Sequence, residues 1–378
     1  MRKLLLILLF LSVVLNRNYA AIGDSKYDSL KYASDDSIKY FIETKLHYGF
    51  VIAHHKSMAG LTTGHFPAFE IDVGKQTHGE KSWQPLYKYP AIGLTFWYCN
   101  LANSNVLGDV YAVYPYLNFH LYQDNCFQFN FRFGTGLGYL TKRFDRLDNY
   151  KNIAIGSHLN AAINLFYEFK WIVLKRLFLS GSIGLSHFSN GVVKTPDLGI
   201  NIPTVSLGAA YILHNNSCII PRLDTGSHKM IQKLNIQLFV SGGIKQTYPA
   251  DGNTYGSYSL SACFLKPLSK KREIGVGLDF FWEFSNISWL EANGINVKHN
   301  YEVIRPAVHI GHQFDFSKLS IVTQLGYYIY AMDKSDGPIY TRFALRYFIS
   351  NKIILNLALL TNFARADFIE WGVGYSLK

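Results

Sequence analysis

Alternation with a period of two runs through this chain. In CFQFNFRF, Phe127, Phe129, Phe131 and Phe133 share one parity, and Gln128, Asn130 and Arg132 share the other. In EIGVGLDFFWEF, Ile274, Val276, Leu278, Phe280, Trp282 and Phe284 alternate with Glu273, Gly275, Gly277, Asp279 and Glu283. Such segments predict strands with one apolar face and one polar or glycine face. They run roughly 10–15 residues, whereas strands of soluble sandwiches average about 5–6. Strands that cross a bilayer need about 9–11 residues and aromatic girdles at both interfaces. Lipid cannot satisfy an open sheet edge, so strands of this kind must close into a barrel.

The pattern predicts roughly sixteen strands, near 44–56, 66–76, 90–100, 108–121, 126–140, 156–172, 177–189, 203–213, 231–246, 254–266, 272–284, 302–314, 317–331, 338–349, 352–363 and 367–377. Tight turns at 123–125, 174–175, 316–318 and 350–352 follow even-numbered strands, and longer connections at 141–155, 190–202 and 285–301 follow odd-numbered ones. Short turns on one side and long loops on the other are the habit of outer-membrane barrels. The long segments 77–89 and 214–230 break that alternation and leave fourteen strands as an alternative. The expected fold is all-β: one transmembrane, antiparallel, up-and-down barrel of 14–16 strands over residues 21–378.

Composition sharpens this. Charged residues are 17% of the chain, below the ~25% usual for soluble domains. Aromatics reach 16%, with 26 Tyr and 27 Phe. At the start, Arg2 and Lys3 precede an apolar run from Leu4 to Leu15, and Ala20 follows. That run is too short to span a bilayer and reads as a signal peptide, residues 1–20. The expected location is therefore the outer membrane of a Gram-negative cell. The net charge of +11 points to anionic partners. No basic run or nucleic-acid motif is present, so anionic lipid is the better match. Cys99, Cys126, Cys218 and Cys263 are far apart and form no CxxC pair, which argues against a metal site and leaves any disulfide pairing open.

Candidate chemistry lies in SHFSNGVVKTPDLGIN, Ser186 to Asn201. Leu177, Leu179, Ile183 and Leu185 form the apolar column of the seventh strand, and His187 and Ser189 continue its parity. Both are then expected on the lipid-facing wall at the strand's end. Two residues apart on one face are ~6.5–7 Å apart at Cα, close enough for an imidazole to reach a hydroxyl. A Ser nucleophile needs an adjacent base, and the base needs a third group that fixes its tautomer. Asn201 opens the next strand and can accept from the second ring nitrogen.

HFSNG followed by PDLGIN resembles the active-site segment of outer-membrane lipid A deacylases of the PagL type and of the longer acyloxyacyl hydrolases related to them. The resemblance implies a barrel that cleaves an ester-linked acyl chain of lipid A, embedded in the outer membrane beside its lipopolysaccharide substrate, with no cofactor. It implies His187 as general base and Ser189 as nucleophile, with Asn190 shaping the site and the amides of Gly191 and Val192 binding the oxyanion. Asn201 stands where the short deacylases carry Glu, and Asp197 where they carry an oxyanion-donating Asn. Asp197 could instead take the orienting role. Two other readings stand beside the esterase: a non-enzymatic barrel such as a pore, and an inactive relative of the deacylases.

Other features carry less. The pair His54–His55 reads as rim-exposed, and His158, at the start of the strand pairing with the seventh, could approach His187. The glycines of FGTGLG at 133–138 alternate along a strand and have no following helix to make a phosphate loop. Arg132, Asp279 and Glu283 are expected to form ion pairs inside the lumen.

Overall fold

The computed structural model describes residues 37–377 except positions 63, 125, 218–233, 251, 363 and 364. The expected signal peptide and Cys218 lie outside the described residues. Among the described residues, sixteen antiparallel strands form. The first eight are β1 (Ser37–Phe50), β2 (His65–Gln76), β3 (Ala91–Asn100), β4 (Asp109–Gln123), β5 (Phe127–Leu140), β6 (Leu159–Leu174), β7 (Leu177–Ser189) and β8 (Ile200–Ser217). The rest are β9 (Asn235–Gln246), β10 (Thr254–Ser269), β11 (Arg272–Glu283), β12 (Ile304–Phe316), β13 (Leu319–Tyr328), β14 (Ile339–Phe348), β15 (Ile353–Asn362) and β16 (Arg365–Leu377). Two short helices, α1 (Trp83–Leu86) and α2 (Phe284–Ala292), sit in connections. Among the described residues no helix is long and apolar enough to cross a membrane.

The strands close twice. β8 pairs back onto β1, and β16 pairs back onto β9, giving two eight-stranded barrels in place of the single barrel of 14–16 strands. Of the long segment expected at 214–230, residues 214–217 belong to β8 and the rest lies outside the described residues. The physical reason for two closures lies in the lumens, where inward charges find their partners within each half. In the first barrel Lys45 Nζ lies 2.8 Å from Glu70, 2.9 Å from Asp72 and 2.7 Å from Glu168. Arg132 bridges Glu70 at 2.7 Å and Asp72 at 2.8 Å, and Lys170 meets Glu43 at 2.7 Å. In the second barrel Arg342 holds Asp279 at 2.9 Å and Glu370 at 2.7 Å, while Lys245 and Arg305 pair with Glu283. An eight-stranded interior is just wide enough for side chains to fill. The aqueous pore available to a sixteen-stranded barrel therefore does not form.

Outward residues make an apolar belt around each barrel. Leu46, Leu94, Leu137, Ile183 and Leu207 are exposed on the first, and Val240, Leu260, Val276, Ile310 and Val373 on the second. The belt lapses where the barrels meet. There Phe119 and Phe131 are buried and cluster with Leu165 and Tyr167 against Phe316, Leu319 and Ile321. α1 seals the same seam: the Tyr87 ring stacks on Phe316 at 4.3 Å, and the Tyr87 hydroxyl donates to the Lys271 carbonyl at 2.8 Å. Cys99, Cys126 and Cys263 are free thiols.

Candidate active site

The ends of β7 and β8 are held by what lies inside the barrel. Phe188, between His187 and Ser189, points into the lumen and is fully buried against Trp97, 5.8 Å ring to ring. It belongs to an apolar plug with Met58, Leu140, Ala162, Ile200 and Ile202 that closes this end of the barrel. With Phe188 anchored inward, pleating turns both His187 and Ser189 outward. The rest of β7 agrees: Leu179 and Ile183 are exposed, while Ser180, Ser182 and Ser186 are buried. Register supplies the third residue, because His187 is the direct cross-strand partner of Asn201.

The resulting contacts form a line. The Ser189 hydroxyl donates to His187 Nε2 at 2.9 Å, and His187 Nδ1 donates to Asn201 Oδ1 at 2.8 Å. The nucleophile–base–orienter geometry of hydrolytic triads needs these two bonds, at about 2.6–3.2 Å. Gly199 packs against the ring. It has φ +77°, and a Cβ on it would come within 2.8 Å of His187 Cε1. Any side chain here would push the loop off the imidazole.

The loop 190–199 folds around Asp197. The Asn190 amide lies 3.2 Å from both carboxylate oxygens, the Val192 amide donates at 3.0 Å, and the Gly191 amide also faces the group. Gly191 and Val192 both have φ +64°, which turns successive N–H groups toward one point as an anion-binding nest. For β-branched Val192 that conformation is strained, at about 1–3 kcal/mol. Burial pushes the Asp197 carboxyl up to about 7, against the downward pull of these amides. The amides expected to meet an oxyanion are thus already engaged by Asp197. Nor does Asp197 orient the base, since Asn201 holds His187 Nδ1. Asn190 serves the loop itself, exchanging side-chain bonds with the Lys194 backbone at 3.0 Å in each direction.

The loop leans on the second barrel. The Gln246 amide donates to the Val192 carbonyl at 2.8 Å, and Gln246 Oε1 accepts from the Thr195 amide at 2.7 Å. Gly191 sits against Ile369, where a Cβ would approach to 2.5 Å.

His54 is a member that sequence reasoning missed. Its Nδ1 lies 3.2 Å from Asn201 Nδ2, and its Nε2 lies 2.8 Å from the Leu198 carbonyl. The Ile52 amide donates to the Asn201 carbonyl at 2.9 Å. His54 arrives because β1 is the sheet neighbour of β8, a fact available only once the barrel is known to close after eight strands. His158 is held elsewhere, with Nδ1 on the Leu140 carbonyl at 2.7 Å and its ring stacked on Tyr139.

Comparison with known proteins follows the division into barrels. A family model described as lipid A 3-O-deacylase (PagL) matches residues 68–210. One described as acyloxyacyl hydrolase, C-terminal domain (PagL_C) matches residues 234–378. No curated protein matches the chain. Solved structures aligned with it include a mutant of the TodX monoaromatic hydrocarbon channel, 8% identical over 92% of this chain and 91% of that one, with a TM-score of 0.20. A mutant Rh. blastica porin is 8% identical over 90% of this chain and 100% of its own, also at 0.20. At such scores these overlaps add nothing to the topology described above.

Proposed function

Since this chain belongs to the PagL-type family of lipid A deacylases and acyloxyacyl hydrolases, we propose that it is an outer-membrane serine esterase that removes an ester-linked acyl chain from lipid A, with Ser189 as nucleophile, His187 as general base and Asn201 as the orienting group. The observation that carries this reading is the Ser189–His187–Asn201 line on the outward wall of β7 and β8. It lies opposite the end with the short turns 124–126 and 175–176 and the 77–90 connection that holds α1, at the barrel end where the connections 51–64, 101–108, 141–158 and 190–199 gather. In outer-membrane barrels that end faces outside, where lipopolysaccharide forms the leaflet.

The reaction follows from the geometry. Ser189 Oγ attacks the ester carbonyl carbon while its proton passes to His187 Nε2. Asn201 Oδ1 accepts from Nδ1–H and steadies the imidazolium. The tetrahedral intermediate collapses, the sugar hydroxyl leaves with the proton from His187, and an acyl-serine remains. Water, deprotonated by His187, then releases the fatty acid and restores Ser189. Exposed Lys194 on the loop and the +11 net charge suit a substrate that carries phosphates.

The test compares wild type with Ser189→Ala in lipid A-containing membranes, reading released fatty acid and lipid A mass. The variant should lose at least about 10³-fold in rate, because the remaining residues cannot replace the nucleophile. Equal acyl release from both proteins would sink the assignment.

A further inference from the structure

We infer that His54 is a positioning residue that selects the reactive tautomer of His187 through the Asn201 side chain. This rests on the esterase reading and asks what that reading requires of an amide in place of a carboxylate. A carboxylate only accepts hydrogen bonds, so either of its oxygens can face His187 Nδ1 and keep the proton there. A carboxamide has one accepting end and one donating end. Rotated by half a turn, Asn201 would aim an N–H at His187 Nδ1. The ring proton would then sit on Nε2, and the lone pair that takes the Ser189 proton would be gone. The cost of a wrong tautomer in such a site is about 10⁴-fold in kcat.

Something must therefore tell the two ends of Asn201 apart, and His54 is placed to do it. The Leu198 carbonyl, 2.8 Å from His54 Nε2, can only accept, so the proton of the neutral ring sits on Nε2. His54 Nδ1 then offers a lone pair to Asn201 Nδ2 at 3.2 Å. That fixes Oδ1 toward His187 Nδ1, which leaves Nε2 free to accept from Ser189. The Ile52 carbonyl also lies 3.2 Å from His54 Nδ1, and it can take a bond only when Nδ1 carries a proton. In that state Asn201 loses its acceptor. Among the described residues, the titratable groups around His54 are His55, 5.0 Å away ring to ring, and His187 beyond Asn201.

The arrangement is built into the fold. β1 runs beside β8, and the chain beyond Phe50 stays alongside through the Ile52–Asn201 backbone bond. The Leu198 carbonyl is held by its neighbour, since the Gly199 amide donates to the Ala154 carbonyl at 3.0 Å. One residue from each side of the barrel closure thus sets the protonation of a third.

The experiment measures fatty-acid release from lipid A in detergent micelles by the full-length chain, with folding followed by heat-modifiable mobility on gels. His54→Ala should lower kcat by about 10–100-fold with KM unchanged, the usual scale for a residue that orients a catalytic ligand. His54→Gln, whose carbonyl can accept from Asn201 Nδ2, should recover most of that loss. On an Asn201→Glu background, where both oxygens accept, the same His54→Ala change should alter kcat less than about 2-fold. A role confined to packing would lower kcat equally on both backgrounds, and that result overturns the inference, as does wild-type kcat in His54→Ala or failure of His54→Gln to recover activity. Ser189→Ala runs in parallel: undiminished release there refutes the esterase reading itself, whereas a dead Ser189→Ala beside an unaffected His54→Ala refutes only the role of His54.

Discussion

In the first barrel β7 is joined to β8 by the loop 190–199, whereas in the second β16 follows β15 after residues 363–364. β7 ends in His187, Phe188 and Ser189, while β15 ends in Leu360, Thr361 and Asn362. Both barrels have eight strands, an ion-paired lumen and an apolar belt, so barrel architecture alone does not make the site. What differs is the connection. The longer loop has room to fold a nest around Asp197 and to press Gly199 on the His187 ring. Two residues of chain between β15 and β16 are too few for either. The second barrel contributes from outside instead, through Gln246 and Ile369 against the loop of the first. The deacylase match over the first barrel and the separate C-terminal-domain match over the second agree with this division.

The largest expected effect probes what the barrels share. Removing a buried cation leaves uncompensated carboxylates and costs about 3–5 kcal/mol. Arg342→Ala should be the harsher change, because Arg342 is the ion-pair partner of Glu370 among the described residues. Arg132→Ala should be milder, since Lys45 still contacts Glu70, Asp72 and Glu168. Denaturant unfolding in detergent or lipid measures both. If Arg132→Ala proves the more damaging, the account of the lumens as separately balanced networks is wrong.

A smaller effect probes what the second barrel does for the first. Gln246→Ala removes the acceptor of the Thr195 amide and leaves that buried N–H unpaired, at about 1–3 kcal/mol. The loop around Asp197 should loosen, and deacylation should fall by roughly 10-fold while the barrels stay folded. A variant as active as wild type would mean that the second barrel is only a neighbour of the site.

The same comparison explains what could be read in advance. All sixteen strands were legible because each carries its own period-two signal, and the inner and outer faces of β7 follow from Leu179, Ile183, Ser180 and Ser182 alone. The first strand was misplaced at its ends. Ser37–Phe50 replaces 44–56, because alternation begins earlier and the chain leaves the sheet before His54. The number of barrels was not legible, since alternation is the same whether a strand closes on its eighth or its sixteenth neighbour. The error carried forward to the site. His187, Ser189 and Asn201 belong to one hairpin, so parity and register unite them. His54 meets Asn201 only across the β1–β8 closure, and the single-barrel reading placed β1 beside the sixteenth strand. The destination of the Gly191 and Val192 amides was likewise hidden, because it depends on two positive φ angles that no side-chain pattern announces.

The smallest expected effect concerns Asp197, in the loop of the first barrel. With its carboxyl pushed up to about 7 by burial, the folded protein holds a proton there that the unfolded chain releases near pH 4. For an acid raised in this way, stability falls as pH climbs through that window. Asp197→Asn removes the titration, so its stability relative to wild type should grow from about pH 5 to about pH 8. Activity should move in the same direction. Above pH ~7 the ionised carboxylate holds the Asn190, Gly191 and Val192 amides most tightly and repels a developing oxyanion. The neutral amide competes less, and we expect Asp197→Asn to release fatty acid a few-fold faster than wild type at about pH 8, with little difference at about pH 5. A ratio of the two rates that stays flat across this range would show that Asp197 does not oppose the reaction. A variant slower than wild type at the higher pH would mean that the carboxylate builds the loop the site depends on, and that the nest serves the fold and not the oxyanion.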